Sequence, residues 1–128
     1  MRKFNICLII LIVISCSGCF KGCNSMSDKV YAKITFRVTH GYGFSLFPVP
    51  PKDSQGGELL NEICLKYNYN YEDWVDKNSK LMNDFSSLMT LPQYNLILQE
   101  EWTRITIHES QPPQTDEEWT AFFNRVNL

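Results

Sequence analysis

Histidine is scarce in this chain and basic runs are missing from it: His40 and His108 are the only two imidazoles, and no cluster of lysine or arginine occurs in the 128 residues. Neither histidine stands in an HExxH pattern or has a second histidine at ligand spacing, so no metal site is expected. Without a basic face, binding to phosphate backbones is disfavoured, and nucleic acid is not an expected partner. Long hydrophobic runs are missing too. The longest, Ile6 to Ile14, rises about 14 Å as a helix, roughly half of what a hydrocarbon core requires. Gly41-Tyr42-Gly43 and Gly56-Gly57 match neither the GxxxxGK[ST] nor the GxGxxG spacing, and turn chemistry accounts for both. No cofactor is implied.

What is present begins at the N-terminus. Met1-Arg2-Lys3 precedes the apolar stretch Ile6 to Ile14, and small residues follow in Ser15-Cys16-Ser17-Gly18-Cys19. This is the three-part layout of an export signal. With Arg2 and Lys3 removed, ten basic and fourteen acidic residues remain, a net charge of −4.

The segment Val13-Ile14-Ser15-Cys16 resembles the lipobox of bacterial lipoproteins, an aliphatic, a variable and a small residue before an obligatory cysteine. The resemblance covers the leader alone. It implies cleavage before Cys16, a diacylglycerol on its thiol, and acylation of the new amino terminus. Several acyl chains anchor stably where one is marginal. Cys19 offers a second box, but with Cys16 where the aliphatic residue belongs. Cleavage as an ordinary signal peptide, with a free periplasmic product, is the other reading. Ser17, where an aspartate would imply retention in the inner membrane, makes the outer membrane, facing the periplasm, the address that the resemblance implies.

Cysteine arithmetic pulls the other way. Cys7 leaves with the leader, and an anchor at Cys16 leaves Cys19, Cys23 and Cys64, an odd number for an oxidising compartment. A Cys23–Cys64 disulfide would close a loop of about 40 residues and stabilise by around 4 kcal/mol in the chain-entropy treatment. Alternatively, Cys64 sits reduced on the apolar face of a helix as a small hydrophobe. Both remain open.

The domain organisation expected is therefore a signal peptide over 1–15, a flexible tether over 16–28 and one globular domain over 29–128. Hydrophobic content of 44% and charge of 20% suit a folded domain with one core. Val30 to Thr39 alternates apolar and polar residues, which predicts a half-buried strand, and Phe44 to Val49 a second strand after a His40–Gly43 turn. Glu58 to Tyr67 carries a helical stripe of Leu60, Ile63, Cys64 and Tyr67, with Glu62 and Lys66 spaced to pair at i,i+4. Asn70 is placed to cap a second helix, with Trp74, Leu81, Met82, Phe85, Leu88 and Met89 at helical spacing on its core side, a possible break at Asn78-Ser79 and an end at Thr90-Leu91-Pro92. Tyr94, Leu98, Trp102 and Ile105 also suit a helix, but Tyr94 to Leu98 and Thr103 to Ile107 are rich in β-formers and are assigned to two more strands joined near Glu100-Glu101. Thr115-Asp116-Glu117-Glu118 is a capping box before Trp119, Phe122, Phe123 and Val126. The fold expected is α+β, a small antiparallel sheet of four strands in the order β-β-α-α-β-β-α, with helices on one face.

Candidate chemistry is thin. Cys64, His40 or His108, and Glu109 are the residue types of a nucleophilic triad, yet Cys64 lies on an apolar stripe. Asp73 with Asp76 and Glu100 with Glu101 are carboxylate pairs with nothing to mark them as a glycosidase couple. Tyr67-Asn68-Tyr69-Asn70-Tyr71-Glu72-Asp73-Trp74 resembles the residue mix of binding paratopes, which makes Tyr69, Tyr71 and Trp74 the candidate binding residues; the alternative is that Tyr67 and Trp74 finish the core stripes of two helices and only Tyr69 and Tyr71 are exposed. From Leu91 onward there are six acidic and two basic residues, against four basic and two acidic from Asp28 to Gln55, an asymmetry able to steer a basic partner.

The function expected is a lipid-anchored, non-enzymatic binding protein of the cell envelope, an inhibitor or immunity-type protein with a protein partner in the periplasm. The alternatives are a structural accessory of a secretion or conjugation assembly and, third, a small envelope enzyme.

Overall fold

A computed structural model describes residues 25–108 and 111–128, with the backbone alone at 85–90. The leader, Cys16, Cys19, Cys23 and Glu109 fall outside the described residues. The α+β expectation is overturned: five α-helices make up the fold, and no strand or sheet occurs among the described residues. In chain order they are α1 (Asp28–Phe36), which runs into a π-helical turn (Arg37–Gly41), then α2 (Gln55–Lys66), α3 (Tyr71–Asn83), α4 (Phe85–His108) and α5 (Asp116–Arg125).

The first predicted strand is α1 and its π-helical extension. Ser27 caps it, its hydroxyl accepting from the Val30 amide at 3.2 Å, with Asp28 in the first turn. The alternation that resembles a strand has another origin. Tyr31, Ile34 and Val38 bury one side of the helix in one apolar cluster, and Ala32 and Phe36 bury the other side in a second. A helix hydrophobic on nearly opposite faces is a central one, and a period-two pattern is a by-product of its two stripes. Met26 is buried in the first cluster, so folded structure begins inside the expected tether.

The second predicted strand is an irregular segment. Gly43 turns the chain at a φ of +75°, which an L side chain adopts only under strain, and Leu46 then plugs into the first cluster. Helix α2 starts earlier than expected, at Gln55, because Ser54 caps it through the Gly57 amide at 3.1 Å. A Cβ on Gly57 would lie 1.9 Å from the Pro51 carbonyl oxygen, so only glycine lets this turn pack against the proline loop. The stripe Leu60, Ile63 and Cys64 is buried as predicted.

Asn70 caps α3 in a full capping box with Asp73. The possible break at Asn78-Ser79 does not occur. Asn78 is buried, and its Oδ1 accepts the Tyr31 hydroxyl at 2.6 Å. Strands three and four are likewise absent, replaced by the 24-residue α4, which continues through Pro92. Leu91, Tyr94, Leu98, Trp102 and Ile105 recur at three and four residues along it and pack on the two clusters. That packing outweighs both β-propensity, which spans only about 1 kcal/mol, and the amide that proline lacks. No helix among the described residues is long and apolar enough to cross a membrane.

Helix α5 matches its prediction, with both halves of the Thr115–Glu118 capping box formed and Trp119, Phe122 and Phe123 buried. An ion pair ties it to the π-helical turn that follows α1. Arg37, 4% exposed, lies 5.5 Å from the Trp119 ring, and its Nη2 donates to Asp116 Oδ1 at 2.8 Å. Where one core was expected, α1 divides the interior into two clusters, with Tyr67 and Tyr94 packing against both.

Candidate functional site

The sequence-predicted binding residues do not form an exposed trio. Trp74 is fully buried, stacked on Tyr31 with ring centroids 5.3 Å apart, and its indole N–H donates to Thr35 Oγ1 at 3.0 Å. Tyr69 and Tyr71 are half-buried against the same cluster, and the Tyr71 hydroxyl donates to the Pro50 carbonyl at 2.6 Å. The paratope-like composition thus serves mainly to join α2 to α3, with one edge of each tyrosine left to solvent.

The triad candidates are scattered. Cys64 is a buried free thiol on the apolar face of α2, while the His40 ring stacks on Phe36 at 4.1 Å and meets the edge of Trp102 in the second cluster. Burial lowers the His40 pKa from its ordinary value, partly opposed by a hydrogen bond with Gln99. His108 is exposed at the last position of α4. Neither carboxylate pair faces a common site: Asp73 is held in its capping box and Asp76 in an ion pair with Lys80 at 3.0 Å. Glu101 is bound by Arg104 and Arg125 at 2.6 and 2.5 Å. No group of three His, Cys, Asp or Glu side chains able to hold a metal occurs among the described residues.

Burial pushes the Cys64 thiol up to about 12, with Asp73 adding to the shift. The thiolate is the reactive form, so native Cys64 is expected to resist iodoacetamide at pH 8 and to react once urea unfolds the chain. Mass spectrometry of the alkylated protein checks this. Rapid native modification at Cys64 contradicts it.

A cleft of about 260 Å³ lies where α1, the loop before Pro48, the end of α3 and α4 meet. Tyr31 and Thr35 line it from α1, Phe47 from the loop, Met82 from α3, and Pro92 and Asn95 from α4. Phe47 is 54% exposed and Met82 50%, so the two largest side chains at the mouth leave about half their surface in water. Its inner wall is firm. Tyr31 is held by Asn78 and by stacking on Trp74, and burial raises its phenol to about 12, leaving it neutral. With Asn95 the one amide at the rim and no charged side chain in the lining, the cleft suits an uncharged, mainly apolar group. Leu96, also exposed, stands one turn beyond Pro92 on α4 and extends the apolar surface.

Sequence reasoning misses both mouth residues. Met82 falls on the predicted core stripe of α3, since it sits beside buried Leu81 at helical spacing from Trp74. Phe47 falls within a predicted strand. The available signal is an aromatic side chain beside prolines in a loop, where no partner in regular structure can cover it.

No family model, no curated protein and no solved structure matches the chain.

Proposed function

We propose that the chain is a lipid-anchored binding protein of the bacterial cell envelope that captures a protein partner at the Phe47–Met82 cleft and acts by occupancy, as an inhibitor or immunity-type protein does. The observation that carries this reading is the pair of half-exposed apolar side chains flanking a cleft with a firm wall. Phe47 and Met82 meet at one cleft mouth, and methionine at its edge adapts to a partner's shape. The volume supports a protein partner over a metabolite. At about 260 Å³ the cleft is smaller than the roughly 300–1,000 Å³ of small-molecule sites and fits one or two inserted side chains. The lipobox resemblance supplies the anchor, at Cys16.

A photoreactive phenylalanine analogue at position 47 or 82, in cells producing the lipidated chain, is expected to give one discrete adduct with an envelope or secreted protein. Phe47→Asp and Met82→Lys are each expected to weaken that complex at least about tenfold. Each side chain is half-buried, so fold stability should fall by no more than about 1–2 kcal/mol, and an unchanged circular dichroism spectrum verifies the fold. Diffuse labelling, or affinity unchanged in both variants, overturns the reading. Cys16→Ser is expected to abolish palmitate incorporation and release the chain from membranes. Labelling that survives this change but is lost in Cys19→Ser moves the anchor to Cys19.

A second reading, a structural accessory of an envelope assembly, is favoured by one observation. Leu96 and Ile107 stand exposed on α4, eleven residues or about three turns apart, a spacing suited to lateral helix packing. It predicts that Ile107→Glu, about three turns from Leu96 along α4, dissociates an oligomer while leaving the Phe47 adduct intact.

A further inference from the structure

A second concave surface lies between the Tyr42–Phe44 segment and α2. It is a groove of about 350 Å³ lined by Tyr42, Phe44, Gln55, Glu58, Leu59 and Glu62. Tyr42 is 49% exposed, and Leu65, 58% exposed, continues the Glu58–Glu62 face of α2 by one turn. An aromatic ring and aliphatic side chains thus accompany two carboxylates spaced at i,i+4.

Like charges at that spacing destabilise a helix by a few tenths of a kcal/mol unless a cation lies between them. The sequence supplies two candidates, and the fold sends both elsewhere. Lys66, spaced to pair with Glu62, reaches instead to Asp116 Oδ2 at 2.9 Å on α5. Lys52 lines the neighbouring surface together with Glu58, yet its ammonium group pairs with Glu72 at 2.9 Å. Glu58 and Glu62 are left without an ion pair among the described residues.

We infer that this groove receives an arginine or lysine side chain from a basic segment of the protein partner, its stem against Phe44 and Leu59 and its charge between the two carboxylates and the Tyr42 ring. The inference rests on reading the chain as a protein-binding lipoprotein. Charge complementarity selects the occupant: a flat cation gains from the tyrosine face and from both carboxylates, whereas an anionic or purely apolar group meets two uncompensated charges.

The test uses the lipidated chain in uncharged detergent, with the tripeptide acetyl-Ala-Arg-Ala-amide as probe and its citrulline counterpart as a neutral isostere. Amide resonances are followed by NMR. Saturable shifts are expected in residues 42–44 and 55–65, weakening at least about tenfold with citrulline or in Glu58→Gln/Glu62→Gln. Both glutamines keep the side-chain shape at exposed positions, and an unchanged circular dichroism spectrum verifies the fold. Equal binding of the citrulline peptide, shifts centred elsewhere, or no saturable shift overturns the inference. If the groove fails while the position-47 adduct still forms, the proposed function stands and this inference alone falls. A responsive groove with no adduct supports the cation site and overturns capture at the Phe47–Met82 cleft.

Discussion

Trp74→Ala is expected to lower stability by about 3–5 kcal/mol, a large share of the roughly 5–15 kcal/mol available to a domain. The indole is fully buried in the first cluster, stacks on Tyr31, lies 6.4 Å from the Phe47 ring and donates its N–H to Thr35. Its removal opens a cavity and also strips the support behind the candidate cleft, so partner capture through position 47 should fall along with stability. Trp102 and Trp119 remain in the second cluster as fluorescent reporters. Because α1 contributes to both clusters, urea unfolding followed by fluorescence and by circular dichroism should give one coincident transition. Separate midpoints in the variant would mean that the clusters are independent units, contrary to the sharing of α1.

Asp116→Ala is expected to cost about 2 kcal/mol. Removing one partner of a fully buried pair costs roughly 3–5 kcal/mol, and the value here is lower because Asp116 is 53% exposed and water screens it. What remains is a guanidinium enclosed by Tyr67 and Trp119, with Nη1 3.5 Å from the Tyr67 hydroxyl and Nε already lacking a partner. Arg37→Met fills similar volume without a charge to satisfy. The double variant Arg37→Met/Asp116→Ala should therefore recover most of the stability that Asp116→Ala loses. A double variant as unstable as Asp116→Ala alone would show the loss to be in helix capping or packing and not in the stranded charge.

The same carboxylates set the acid limit. Hydrogen bonds from Arg37 and Lys66 hold Asp116 below the usual range, and Arg104, then Arg125, bring Glu101 down to about 2. Both groups bind protons more weakly in the folded chain than in the unfolded one, so acidification favours unfolding. The Glu101 contribution is complete above about pH 4.5, the ordinary glutamate value, and is lost as the pH falls towards 2. Denaturation midpoints measured across that window should fall less steeply in Glu101→Gln than in the parent chain.

Much of the helical architecture was legible where local chemistry and tertiary packing agree. The Thr115–Glu118 box, the Asn70 cap and the Leu60-Ile63-Cys64 stripe each specify a helix by short-range bonds or by one buried face, and all three stand as read. Legibility ended where a segment is buried on two sides. In α1 the two opposed stripes imitate alternation, and in α4 the helical spacing of Tyr94, Leu98, Trp102 and Ile105 competes with the β-rich runs Tyr94–Leu98 and Thr103–Ile107, which a local reading weighs more heavily. Single-segment periodicity has no term for a second core, which is why four strands were expected and none is found among the described residues.

The candidate site was less legible still, because exposure is a property of the assembled fold. Trp74 and Met82 occupy the same predicted helix stripe, yet one is enclosed and the other is half in water, since neighbouring elements reach only the first. Lys66 illustrates the same limit for charge. Its nearest carboxylate along the helix is Glu62, but α5 brings Asp116 to it and leaves Glu62 open.

By itself the chain's order of residues determines the caps and the helical stripes, because each depends on groups within a few positions of one another. Only the tertiary structure decided that α1 is a central helix and that Phe47 and Met82 frame a cleft. Those outcomes depend on which distant segments close over a side chain, and burial against them outweighs the small preferences that a local reading can weigh.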